Sequence, residues 1–341
     1  MHKYLKVILN VVKYLFFLSI GAGLFWLIYR KYDMNEILGS FREVNYWWIA
    51  ASLVFSILSI VSRAMRWQLL IGSIGYKPRY VNVFLSCYVL YLVNLFVPRA
   101  GEIARCSVVS STDKVPFPKL VGTVIIERLA DVIMLGILAF GIFAVNIGTL
   151  GKIADAYPAL KSTFISLMSP KYLILLIVLL AIAYVAFRYY QNYRRKKRAL
   201  TVKKESIWTK LLEGVDSISR LERKWEFVAH TLFIFGMWLA MLYVVFLAFE
   251  PTAHLSIRAG MLTFLMGGLA MLVPSPGGIG PWHGMVALTL VSGYDIVQEE
   301  AVKFAFIAHT TTNLVYVLLG AIALVAVFLV NSGNVKLSNK Q

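Results

Sequence analysis

Cysteine is nearly absent: Cys87 and Cys106 are the only two among 341 residues. Both sit in apolar surroundings without metal-ligand spacing, so a Cys/His metal cluster is excluded and both read as packing residues. Acidic side chains are also few, 17 against 34 Lys and Arg, for a net charge of +17. Catalytic signatures are missing too. There is no HExxH, no Ser-His-Asp constellation and no nucleotide P-loop, so no metal, nucleotide or other cofactor is expected. Only two short segments are plainly polar, which excludes water as the main solvent of the chain.

What is present is apolar. The sequence is 59% hydrophobic with a mean hydropathy of +0.73, well above the roughly 45–50% of a soluble domain. Runs at 14–28, 47–61, 172–187, 228–249 and 305–330 approach or exceed the roughly 20 residues that cross a bilayer core. Lys3, Lys6 and Lys13 followed by an apolar run and Gly21, Ala22 and Gly23 have the outline of a signal peptide. No soluble domain follows, so this stretch is read as the first span.

The positive charge orients the chain, because loops rich in Lys and Arg stay cytoplasmic. The N-terminus, the 63–79 segment and the 188–224 loop, with Arg194, Arg195, Lys196, Lys197 and Arg198 in succession, are placed inside. Segments 30–46, 152–171, 250–258 and 295–303 mix both signs and are placed outside. Both termini are then cytoplasmic in a multi-pass cell-membrane protein. The basic excess beside apolar spans is a topology signal or an anionic-lipid contact, not a nucleic-acid footprint.

This orientation creates a parity conflict. If 63–79 and 107–119 are both inside, the apolar run 81–97 must enter and return, with the breaker-rich turn Pro98-Arg99-Ala100-Gly101-Glu102 between its limbs. The conflict recurs at 260–293, broken by Pro274-Ser275-Pro276-Gly277-Gly278-Ile279-Gly280-Pro281. The expected fold is all-α and polytopic: about six full transmembrane helices plus two oppositely oriented re-entrant hairpins, about 81–112 and about 260–293, forming an inverted repeat. Residues 1–150 form the first repeat, 151–187 an outer loop and span, 188–227 a basic loop with an amphipathic helix, and 228–341 the rest of the second repeat. The two turns share Val, Pro, Gly and Ile in aligned positions, a trace of internal repetition.

Three ordered motifs, Asn94-x-x-x-Pro98-x-x-Gly101-Glu102-x-x-Arg105, Glu127-Arg128-Leu129-x-Asp131 and Pro276-Gly277-Gly278-Ile279-Gly280, span nearly the whole chain. In these the sequence resembles the transmembrane region of lysylphosphatidylglycerol synthases and the stand-alone flippase-like proteins related to it. The resemblance implies a bacterial or archaeal protein that translocates phospholipids or polyprenyl-linked lipids. It does not carry over lysyl transfer, because no aminoacyl-transfer domain is expected in a chain that stops at Gln341. Where the family pattern commonly has Glu three residues after the last Gly of its glycine-rich turn, this chain has His283.

The residues also read by themselves. Glu127 and Asp131 share a helix face and Arg128 can reach Asp131. Charges at mid-membrane persist only when facing protein or a wet cavity, so the triplet is either a structural ion-pair lock or a head-group lining with a proton-accepting carboxylate. Arg99, Glu102 and Arg105 offer planar donors to a phosphate beside a helix start near Gly101; alternatively Glu102 pairs with Arg99 or Arg105 and merely closes the turn. Gly277, Gly278 and Gly280 only loosely resemble a phosphate cradle. His309 and Asn313, four apart, line a cavity opposite Glu127 or make an interhelical hydrogen bond. Ile207, Leu211, Val215, Ile218, Leu221 and Trp225 recur at helical steps, marking a helix on the inner surface or an extension of the next span.

Two functions compete. A lipid flippase or scramblase needs the hairpins and the phosphate-binding arginines. A membrane-embedded enzyme acting on a lipid phosphate or lipid-linked sugar would have only Glu102, Glu127, Asp131 and His283 to work with; a solute or ion transporter is the remaining reading. The expected partners are membrane lipids with an anionic or phosphate-bearing head group, with a homo-oligomer and a separate lipid-modifying enzyme also compatible, and no nucleic acid.

Overall fold

The computed structural model describes residues 33–157 and 206–338, with Ser19, Gly23, Trp26, Arg30 and Val178 as isolated positions and no side chains described beyond residue 329. The expected spans at 14–28 and 172–187 and the basic run at 194–198 lie outside the described residues.

The described chain is helical and contains no strand. After a short α1, Met34–Gly39, capped by the Asp33 carboxylate on the Asn35 N–H at 2.8 Å, come α2, Tyr46–Ser73, α3, Tyr80–Phe96, α4, Gly101–Asp113, and α5, Phe117–Val145. Residues 147–206 form a compact unit of their own, in which α6, Ile147–Ala156, buries Leu150, Ile153 and Ala154. The chain resumes with α7, Ile207–Val215, α8, Lys224–Ala248, the short α9, Glu250–Ala253, α10, Ile257–Ala270, α11, Pro281–Tyr294, and α12, Gln298–Ser338.

Four of these helices, α2, α5, α8 and α12, are long and apolar enough to cross a membrane. Their outward residues are apolar as well, among them Val132 and Phe140 on α5, Leu232 on α8 and Phe328 on α12. In water such a surface would be a liability, whereas lipid tails solvate it. The protein is therefore an all-α polytopic membrane protein.

Between the long helices lie two pairs of shorter helices. The 17 residues of α3 reach about 25 Å and the 13 of α4 about 20 Å at roughly 1.5 Å per residue. They form an antiparallel hairpin fastened at both ends. At the turn, the Asn94 side chain accepts from the Gly101 N–H at 2.8 Å. At the open end, Asp113 accepts from the Arg79 N–H at 2.9 Å and from the Asn82 amide at 3.0 Å. A Cβ on Gly101 would lie 2.1 Å from the Leu90 carbonyl, so only glycine permits this approach. The second pair, α10 and α11, is interrupted over 271–280, a connection that contains a 3-10 turn at Pro276–Gly278 and in which Gly277, Gly278 and Gly280 all have positive φ.

Two expectations are corrected. Most of the 63–79 segment is not a loop: α2 runs through to Ser73, and Arg63 and Arg66 are 3% and 0% exposed inside the bundle. Burying two arginines is tolerable because carboxylates meet them, which linear charge counting does not reveal. Part of the positive charge assigned to the inner surface is thus internal. Lys303 likewise belongs to the start of α12, where it pairs with Glu299 at 2.6 Å and Glu300 at 3.1 Å, and not to an outer loop.

The segment at 207–225 is also broken, where a single helix was expected. The helix ends at Val215, a 3-10 turn follows at Asp216–Ile218, and α8 begins afresh at Lys224, so α7 is no extension of the next span. It packs on α5 through two glycines: a Cβ on Gly122 would lie 2.2 Å from the Leu211 carbonyl, and one on Gly214 2.0 Å from that of Lys119. Leu221 is buried with Leu70, Ile126 and Phe227. Ile207 and Trp225, by contrast, are 71% and 86% exposed.

Candidate functional site

Charged side chains from three helices converge on Glu127. Its carboxylate, fully buried on α5, lies 3.3 Å from Arg63 Nε, 3.2 Å from Arg66 Nη2, 3.0 Å from Arg105 Nη2 and 2.7 Å from Arg128 Nη2. Arg66 also reaches Asp131 at 2.7 Å, and Arg128 reaches it at 3.0 Å. Glu102 is 2.6 Å from Arg105 Nε, 3.4 Å from Arg128 Nε and 3.5 Å from Arg63 Nη2. α2 thus supplies Arg63 and Arg66, α4 supplies Glu102 and Arg105, and α5 supplies Glu127, Arg128 and Asp131.

Helical spacing explains the convergence. Glu102 and Arg105 are three apart, as are Arg63 and Arg66, so each pair projects from one face. Neutral partners complete the shell: Tyr91 accepts from Arg63 at 2.7 Å and Thr231 from Arg66 at 3.1 Å, while Arg105 stacks 4.3 Å over the Trp67 ring. Ser62 and the His230 Nδ1 atom are 2.8 Å apart nearby.

Two properties of this cluster stand out from simple pairing. Four guanidiniums face three carboxylates, leaving one positive charge unmatched, and Arg105 Nη1 is buried with no hydrogen-bond partner among the described residues. Access is also one-sided. The side chains of Arg63, Arg66, Arg105 and Glu127 are 4% exposed or less, whereas Glu102 is 24% and Arg128 38% exposed. Arg128 is therefore the most exposed cation of the cluster.

The other expected residues form a second cluster at the hairpin turns. Arg99, with φ of 63°, donates from Nη2 to the Leu272 carbonyl at 2.8 Å at the end of α10. A Cβ on Gly277 would lie 2.7 Å from Leu95 Cδ2, so the two turns touch. His309 Nε2 is 2.9 Å from the Gly277 carbonyl, and the Asn313 amide is 2.9 Å from His309 Nδ1. Since a carbonyl only accepts, Nε2 carries the proton and Nδ1 accepts from Asn313. His283, 2% exposed, packs its ring 4.4 Å from that of His309. Gly278 is buried, and the Gly280 N–H lies 3.4 Å from His283 Nδ1.

The sequence-predicted residues therefore divide. Glu102, Arg105, Glu127, Arg128 and Asp131 come together. Arg99, Gly277, Gly278, Gly280, His283, His309 and Asn313 gather at the turns and make no polar contact with Glu127, so His309 and Asn313 adopt the hydrogen-bonded alternative. Asn94 and Gly101 close the first turn on each other, which removes the Gly101 N–H as a phosphate donor. Glu102 pairs with Arg105 and not with Arg99. Arg63 and Arg66 were missed as site residues. The signal was present: Ser52, Ser56, Ser59, Arg63 and Arg66 recur at alternating steps of four and three, and all are buried on α2.

Long apolar helices, two short helical hairpins and a buried arginine–carboxylate cluster define a polytopic membrane protein with a charged centre and no soluble catalytic domain among the described residues. The chain belongs to the lysylphosphatidylglycerol synthase TM region family, whose model matches residues 10–320. It is also 25% identical over 129 residues to a UPF0104 membrane protein of Methanocaldococcus jannaschii, covering 37% of this chain and 36% of the relative. Over 124 residues it is 24% identical to glycosyltransferase AglD of Haloferax volcanii, covering 36% of this chain and 20% of the relative. The match thus spans about a third of one relative's length and a fifth of the other's.

Proposed function

We propose that this protein translocates a phospholipid or polyprenyl-linked lipid across the membrane without altering it chemically. The observation that carries this reading is the unmatched positive charge of the cluster, reachable at Arg128 and Glu102. A phosphate supplies the missing negative charge, and planar guanidinium donors suit its oxygens.

The hairpins support the same reading. Short arms that join at a turn suit segments entering and leaving one membrane face, and the touching turns suit two such segments entering from opposite faces. This favours inverted repeats of span, span, hairpin and span, divided near residue 150, with the basic loop at 188–227 and both termini on the cytoplasmic side. A lipid head group then passes the cluster while its chains remain among the exposed apolar residues of α5 and α12.

The resemblance to a protein named a glycosyltransferase favours a second reading, a membrane-embedded enzyme acting on a lipid-linked sugar. One experiment separates the two. Purified protein is reconstituted in vesicles with head-group- or chain-labelled phosphatidylglycerol or phosphatidylcholine, leaflet exchange is followed by reduction of the outer label, and the recovered lipids are weighed by mass spectrometry. Faster exchange of unaltered lipid is expected. Altered lipid mass with no exchange would replace translocation by catalysis.

A further inference from the structure

A cavity of about 500 Å³, lined by none of the ion-cluster residues, lies where the last turns of α2 and the α2–α3 connection meet the segment just before α8. That volume is in the range of small-ligand sites, roughly 300–1,000 Å³. Its walls are fixed. The Ser73 hydroxyl donates to the Ser217 carbonyl at 2.8 Å, tying α2 to the 3-10 turn. Lys119 donates to the Tyr76 hydroxyl at 3.2 Å and pairs with Glu213 at 2.9 Å. Leu221, buried at 4% exposure, anchors the opposite wall in the core.

The lining is basic. Lys77, Arg220 and Arg223 face it with a single carboxylate, Glu222. Arg220 holds Asp216 at 2.9 Å and Arg223 holds Glu226 at 2.5 Å, whereas Lys77 has no partner among the described residues. Arg223 is also the N-cap of the 25-residue α8 and makes no side-chain cap hydrogen bond, so the partial positive charge of that helix start adds to the charge of Lys77. Trp225, two residues on, is 86% exposed. Exposed tryptophan beside lysine and arginine is the composition of the layer where head groups meet hydrocarbon.

From the cavity, its unpaired Lys77 backed by Arg220 and Arg223, and the exposed Trp225 two residues from its wall we infer that this is a second lipid site, holding the phosphate of an anionic head group from the adjoining leaflet. It is separate from the Arg128 opening and does not depend on translocation. Free phosphate shares the chemistry, but the exposed Trp225 favours a lipid as its source.

The test is the melting temperature of the purified full chain in detergent, titrated with short-chain phosphatidylglycerol, short-chain phosphatidylcholine or inorganic phosphate. Phosphatidylglycerol should raise it saturably, with the other two giving less than a third of the shift. Lys77→Gln/Arg223→Gln should need at least tenfold more phosphatidylglycerol for the half-maximal shift. Arg258→Gln, an exposed cation a helix length away, should titrate like the parent. Should the double variant not fold, Lys77→Gln alone, exposed and unpaired, carries the test. An unchanged titration in the cavity variants, or an equal shift with phosphatidylcholine, overturns the site; an equal shift with inorganic phosphate overturns its assignment to a lipid. Transport plays no part in the readout, so this inference and the translocation reading fail independently.

Discussion

Arg66 on α2 and Glu127 on α5, 61 residues apart, face each other at 3.2 Å with neither side chain exposed. Three more guanidiniums converge on the same carboxylate, so Glu127 is the interior of the cluster and Arg128 its edge. Removing one partner of a buried pair leaves an uncompensated charge and costs about 3–5 kcal/mol. Glu127→Gln should therefore destabilise the protein by roughly that amount. Thermal unfolding in detergent checks this, and a variant as stable as the parent would return Glu127 to the role of a proton-exchanging group.

Arg128→Gln should behave oppositely. Its side chain is 38% exposed and its removal leaves three guanidiniums against three carboxylates, so folding should change little while attraction for an anionic head group falls. Exchange of labelled phosphatidylglycerol should drop by about tenfold, equivalent to about 1.4 kcal/mol, with phosphatidylcholine less affected. Equal loss for both lipids would place Arg128 outside head-group selection.

The Asp113 contacts to Arg79 and Asn82 place both open ends of the first hairpin together. Cysteines at Lys77 and Lys114 should thus react with an impermeant thiol reagent from the same side of the membrane, and one at Val297, 68% exposed, from the other. Native Cys87 and Cys106 are buried and free, so background labelling should be low. Labelling of positions 77 and 114 from opposite sides would turn α3 into an ordinary span.

The contact between Gly214 and Gly122 predicts a packing defect. In Gly214→Ala the new methyl would lie 2.0 Å from the Lys119 carbonyl, and backbone cannot yield as a flexible side chain can. A loss of about 1–3 kcal/mol is expected, together with weaker protection of α7 in hydrogen exchange. Gly39→Ala, with open space around its Cβ, is the comparison and should leave stability near the parent value.

Much of the architecture followed from one-dimensional signals. Runs of apolar residues determine which segments can live in lipid, because an unpaired backbone in hydrocarbon is too costly for anything but helices or closed barrels. Pro98 and the Pro274–Pro281 stretch determine where helices break, because proline lacks a donor and clashes with the preceding turn. The paired charges Glu127, Arg128 and Asp131 were legible as a cluster because helical spacing fixes which neighbours share a face. What the tertiary structure decided is which faces meet. Arg63 and Arg66 look like the basic start of a loop until α2 is laid against α4 and α5, when they become the buried counter-charges of Glu102, Glu127 and Asp131. The contact of Arg99 with Leu272 and the approach of Gly122 to Gly214 are equally invisible along the chain. Local spacing sets the direction of a side chain, but the partner of a buried charge is chosen by helix packing across tens of residues, where Coulomb attraction must offset desolvation.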